Sequence, residues 1–168
     1  MSLATFTLFH VIISLVGIFA GLVVVWGMLG AARLPGWTAL FLVTTVATSV
    51  TGFMFPFKGF DPADGVGVIS LLVLAITIVA LYVYDLTGAW RWIYVVGATI
   101  SLYLNVFVAV AQSFLKVPFL HPLAPTGSEP PFVIAQALVM IIFIVLWIFA
   151  VKKFHPQAQV HVAGQAHA

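Results

Sequence analysis

A chain of 168 residues with six Lys/Arg and four Asp/Glu cannot clothe a soluble fold in charge. With 64% hydrophobic residues and a mean hydropathy of +1.24, it reads as an integral membrane protein. The net charge of +2 comes from basic residues scattered singly at segment ends and carries no nucleic-acid signal. The absence of cysteine excludes thiolate nucleophiles, disulfide relays, iron–sulfur clusters and Cys-type zinc sites.

A helix crosses a bilayer with about 20 mostly apolar residues. That length predicts an all-α bundle of five transmembrane helices over residues 4–29, 38–57, 66–84, 92–115 and 132–151, forming one domain over 1–153. Breakers fall between them: Arg33-Leu34-Pro35-Gly36, Pro56 to Gly65, Thr87-Gly88, and the Pro-rich stretch Pro118–Pro131. The first span has no basic leader and is too long for a signal core, so it is not a cleavable signal peptide. Its His10, Ser14, Gly17 and Gly21 share one face. Gly17 and Gly21 form a GxxxG, which suits helix packing inside the bundle or a homodimer face. His10 is the ionisable residue placed well inside an apolar span. Such a group is either satisfied by Ser14 or a neighbouring helix, or serves as a metal or heme ligand, proton carrier or ligand contact.

The second span offers Thr44, Thr48, Thr51 and Gly52, with Thr45 and Ser49 beside them. Asp61-Pro-Ala-Asp64-Gly65 reads as a turn with Asp64 capping the third span, because a DxxD lacks the ligand count for calcium. The third span carries Ser70, Thr77 and Tyr84 at intervals of seven. Asp85, just beyond it, is expected to pair with Arg91 across the short turn. The fourth span aligns Gly97, Ser101, Asn105, Ala109 and Gln112. An amide in hydrocarbon must find a partner, so Asn105 is either an inter-helix clamp or the lining of a polar cavity. In the loop from Lys116 to Phe132, five prolines impose stiffness, and Phe119, Leu120 and Leu123 suit a membrane surface. Ser128-Glu129-Pro130-Pro131 reads as a helix start, with Ser128 as cap and Glu129 at the positive end of the dipole. In the other reading, Lys116, His121 and Glu129 form an outer rim. The fifth span carries Gln136 and shows no small or polar stripe. The tail, 154–168, reads as disordered and polar, with His155, His161 and His167 solvated.

Lys and Arg favour cytoplasmic loops. Arg33, Arg91, Lys152 and Lys153 fall on one side and Lys58 and Lys116 on the other, so the C-terminus is expected in the cytoplasm and the N-terminus outside. Trp26, Trp37, Trp90, Trp92 and Trp147 lie towards the same cytoplasmic interface, the headgroup depth their amphipathic rings prefer. The Lys pair and apolar profile suit a bacterial inner, or plasma, membrane. In this orientation His10, Ser14, Ser49, Thr51, Ser101, Asn105, Gln112 and Gln136 form a candidate ligand pocket in the outer half of the bundle.

Three function classes follow. The first is an accessory or scaffold subunit of a larger membrane assembly, or a self-associating bundle. The second is a binding protein for a lipid, quinone or heme in the pocket around His10, Asn105 and Gln112; a His10–His121 heme pair is one form of it. The third is a membrane-embedded enzyme or transporter component. No acid–base pair, metal triad or pair of broken helices marks this last class, and no catalytic residue or metal ligand set is assigned.

Overall fold

The computed structural model describes residues 2–56 and 62–156. These form five α-helices and one short 3-10 helix: α1 (Leu3–Leu29), α2 (Pro35–Gly52), α3 (Pro62–Tyr82), α4 (Ala89–Lys116), the 3-10 helix His121–Leu123, and α5 (Pro130–Lys153). Four of them, α1, α3, α4 and α5, are long and apolar enough to cross a membrane. α2 is shorter and rich in threonine. Its 18 residues rise about 27 Å, close to the roughly 30 Å thickness of a hydrocarbon core.

Consecutive helices pack as antiparallel neighbours, and α4 returns to α1, so α1 to α4 close on themselves while α5 lies against α4 and α1. The pairings show why small residues sit where they do. A side chain at Gly21 would come within 2.6 Å of Leu102 and 2.8 Å of Phe41, and one at Gly17 would meet Thr44 at 3.1 Å and Asn105 at 3.6 Å. The GxxxG of α1 therefore receives α2 and α4 of its own chain. Gly97 of α4 receives Thr77 of α3 in the same way. The apolar core lies towards the end that carries Arg33, built from Ala20, Val24, Met28, Phe41, Leu74, Val95 and Leu102. Towards the His10 end the buried side chains turn polar: Thr45, Ser49, Ser70, Asn105 and Gln136. α5 buries Gln136, Phe143 and Ala150, a seam with a period of seven that its apolar sequence hides.

Several boundaries differ from the periodicity reading. Pro35 occupies the first turn of α2, where its missing N–H costs nothing, so the helix starts three residues before Thr38. It ends at Gly52 rather than at residue 57, with Phe53 to Phe55 turning ahead of Pro56. The N-cap of α5 is Glu129, not Ser128, with proline at the next positions. Asp64 lies in the first turn of α3 rather than before it. Phe154 is buried at 2% exposure against Tyr94, so the chain is still anchored one residue past α5. Asp61, Lys58, His161 and His167 lie outside the described residues.

The expected Asp85–Arg91 pair is replaced by two others. Asp85 accepts a hydrogen bond from Arg33 at 2.7 Å, joining the α3–α4 turn to the α1–α2 turn. Arg91 donates to the backbone carbonyls of Val151 (3.1 Å) and Phe154 (2.6 Å). A cation at the end of α5 satisfies carbonyls that have no partner inside the helix. Arg91 is thus drawn to α5 and leaves Asp85 to Arg33.

Candidate functional site

The polar residues of the His10 half are fixed by pairs of helices. The Oγ1 of Thr51 donates its single proton to a backbone carbonyl of its own helix, Ala47 at 2.7 Å, with Thr48 at 3.2 Å. It can meet the Nδ1 of His10, 2.8 Å away, only as an acceptor. With the Thr51 proton on that carbonyl, Nδ1 of His10 donates to Thr51 and Nε2 presents a lone pair. Phe55 closes one side of the imidazole edge-to-face at 5.2 Å and stacks obliquely on Phe6. Ser14, one turn inward, is half-buried and makes no hydrogen bond to His10.

Two turns deeper, Asn105 donates to Thr45 at 3.2 Å, beside Gly17. Ser49 donates to Ser70 at 3.1 Å, clamping α2 to α3. Gln136 donates to the carbonyl of Phe107 at 3.0 Å, clamping α5 to α4. Among the described residues, three buried side-chain oxygens have no hydrogen-bond partner: Oγ of Ser101, Oε1 of Gln112 and Oε1 of Gln136. Gln112 lies seven residues from Asn105 and His10 seven from Gly17, so the antiparallel α1–α4 pairing brings both to one depth. The arrangement offers a hydrogen-bond acceptor on Nε2 of His10 and a second on Oε1 of Gln112. Chemically, that suits a ligand that donates hydrogen bonds, or a metal that would take one imidazole nitrogen.

The three rim residues stand apart. Lys116 ends α4 and His121 lies exposed in the 3-10 helix. Glu129 folds back on its own loop, accepting from the amide and hydroxyl of Thr126 (3.0 and 2.9 Å) and from the amide of Ser128 (3.1 Å). What desolvation there is pushes its carboxyl upward. The hydrogen bonds from Thr126, its own amide and Ser128 outweigh it and hold the group at about 2. Among the described residues, no three His, Asp or Glu side chains gather as a metal site.

Sequence reasoning missed the other end of the molecule. A cavity of about 190 Å³ lies there, lined by Met28, Arg33, Thr38, Leu81, Asp85 and Tyr94, among others. Its one legible signal was the Arg33-Leu34-Pro35 breaker. The chain matches no protein-family model, no curated protein and no solved structure.

Proposed function

We propose that the chain is a five-span protein of a plasma or bacterial inner membrane, N-terminus outside, that serves as an accessory or scaffold subunit of a membrane assembly or as a self-associating bundle. α2 is included among the spans because it runs beside α1 from the His10–Thr51 contact to the approach of Leu34 on Gly27, and so covers nearly the same depth. The observation that carries the reading is how the interior polarity is spent. Asn105, Ser49, Gln136 and Arg91 each tie one helix to another, while α5 turns Ile134, Leu138, Ile141, Val145 and Phe149 outward. Clamped helices with a bare apolar wall suit a part whose task is to hold shape and offer a packing face. The test is native mass spectrometry on protein released gently from its own membranes. A homo-oligomer or a stable mass with other subunits is expected; a bare monomer would overturn the reading.

A second reading keeps the binding function, and one observation favours it. The Oε1 of Gln112 is buried without a partner at the depth of a histidine whose Nε2 is an unengaged acceptor. A ligand with two donor groups would serve both acceptors, and a single lipid or quinol hydroxyl would serve one of them; a heme iron would use Nε2 alone. A retained small-molecule mass or a Soret band that disappears in His10→Ala would support it. Unchanged ligand occupancy in His10→Ala and Gln112→Ala would remove it.

A further inference from the structure

The cavity at the Arg33 end combines features that belong together in a ligand site. Its walls are Val24, Met28 and Leu81 on the apolar side, with the hydroxyl-bearing Thr38 and Tyr94 against them. Both polar residues are more than nine-tenths buried, at 5% and 3% exposure, and lie side by side. A cavity of about 150 Å³ accommodates a benzene ring, so about 190 Å³ has room for several carbons of an apolar stem.

The rim carries a charged pair, Arg33 and Asp85. Arg33 uses one terminal nitrogen on the carboxylate of Asp85 and the other, at 3.4 Å, on its backbone carbonyl. That carboxylate is 77% exposed and so contributes little as a bond. The N-terminus of α2 opens onto the same rim. Its first-turn N–H groups do not add to the site: Pro35 has none, Thr38 donates to the carbonyl of Leu34 at 2.8 Å, and Gly36 and Trp37 do not line the cavity. Both rim turns hold non-glycine residues in the left-handed region: Ala31 (φ 56°), Asp85 (φ 43°) and Leu86 (φ 60°). Strain of this kind concentrates at ligand clamps.

We propose that this cavity binds a membrane amphiphile with a phosphate or carboxylate head, the head on Arg33, and the first carbons of its stem between Met28, Leu81 and Tyr94. Asp85 occupies Arg33 as a competing intramolecular anion. The proposal rests on the membrane reading, which fails separately if the chain is extracted by alkaline carbonate without detergent.

The test is a native mass spectrometry titration of the full chain in neutral detergent. The probes are lysophosphatidic acid, lysophosphatidylcholine and inorganic phosphate. Lysophosphatidic acid is expected to bind, and Arg33→Gln to weaken it by about tenfold or more. Asp85→Asn is expected to tighten it, because the competing carboxylate is gone. Thr38→Leu, which fills the cavity without touching Arg33, is expected to block it, with thermal melting verifying that each variant folds. Equal binding of the zwitterionic lipid, equal binding of inorganic phosphate, or weaker binding in Asp85→Asn would overturn the proposal.

Discussion

Gly97→Ala is the sharpest probe of how α3 and α4 are joined. A Cβ at this position collides with the Oγ1 of Thr77 and comes within 3.2 Å of its Cβ. Thr77 cannot swing aside, because its hydroxyl is bonded at 2.7 Å to the carbonyl of Val73 and the residue has no exposed surface. Overpacking of a tight contact costs about 1–3 kcal/mol, whereas alanine returns up to about 1 kcal/mol of helix propensity over glycine. The expected net loss is about 1–2 kcal/mol. Thr77→Ala removes the oxygen that clashes, so the double variant should be more stable than the sum of the two changes by about 1–2 kcal/mol. Unfolding by sodium dodecyl sulfate in mixed micelles, followed by circular dichroism, measures all four corners of the cycle. Additive effects, or a neutral Gly97→Ala, would refute the close approach of the two helices.

Three further outcomes are expected. Ala31 occupies the left-handed position after α1, with Ala32 bonded to Gly27 and Ala31 to Met28, a motif that ordinarily carries glycine there. Ala31→Gly should therefore raise stability by about 0.5–1 kcal/mol in the same assay. The carboxyl of Glu129 sits at about 2 against an ordinary 4.5. A depressed value means that its contribution to loop order is complete above about pH 4.5 and lost as pH falls through about 2; amide exchange at Thr126 and Ser128 should accelerate over that window in the native chain and not in Glu129→Gln. Because the chain has no cysteine, single cysteines report topology directly. Thr126→Cys should react with an impermeant maleimide on intact cells and Thr87→Cys only after lysis, and the reverse pattern would invert the orientation.

The helices were legible because burial in lipid imposes long apolar runs, and the small-residue faces because close approach demands them. Gly17, Gly21 and Gly97 could be placed on faces from spacing alone. The identity of the facing helix could not: Thr77 opposite Gly97, or Asn105 beside Thr45, depends on the order of helices around the bundle, which no periodicity encodes. Asp85 shows the same limit. Local proximity favoured Arg91, six residues away, yet its partner lies 52 residues away because Arg91 is committed to the end of α5. The cavity is assembled from helix ends and two turns with left-handed residues, and neither feature has a pattern in the chain.

The division of polarity between α4 and α5 also bears on how the protein is made. α4 is the least apolar of the four long helices and the most deeply enclosed; α5 is the most apolar and the least enclosed. α4 carries Asn105, Ser101 and Gln112, polar groups that cost free energy in hydrocarbon when unpartnered, and it is synthesised after α1 to α3. Thr45, Gly17 and Thr77, which receive it in the fold, all precede it in the chain. α5 follows α4 and meets it through Gln136 on the carbonyl of Phe107 and through Arg91 on that of Val151. Synthesis in this order means that the partners of the more polar helix are made before it and the most apolar helix after it.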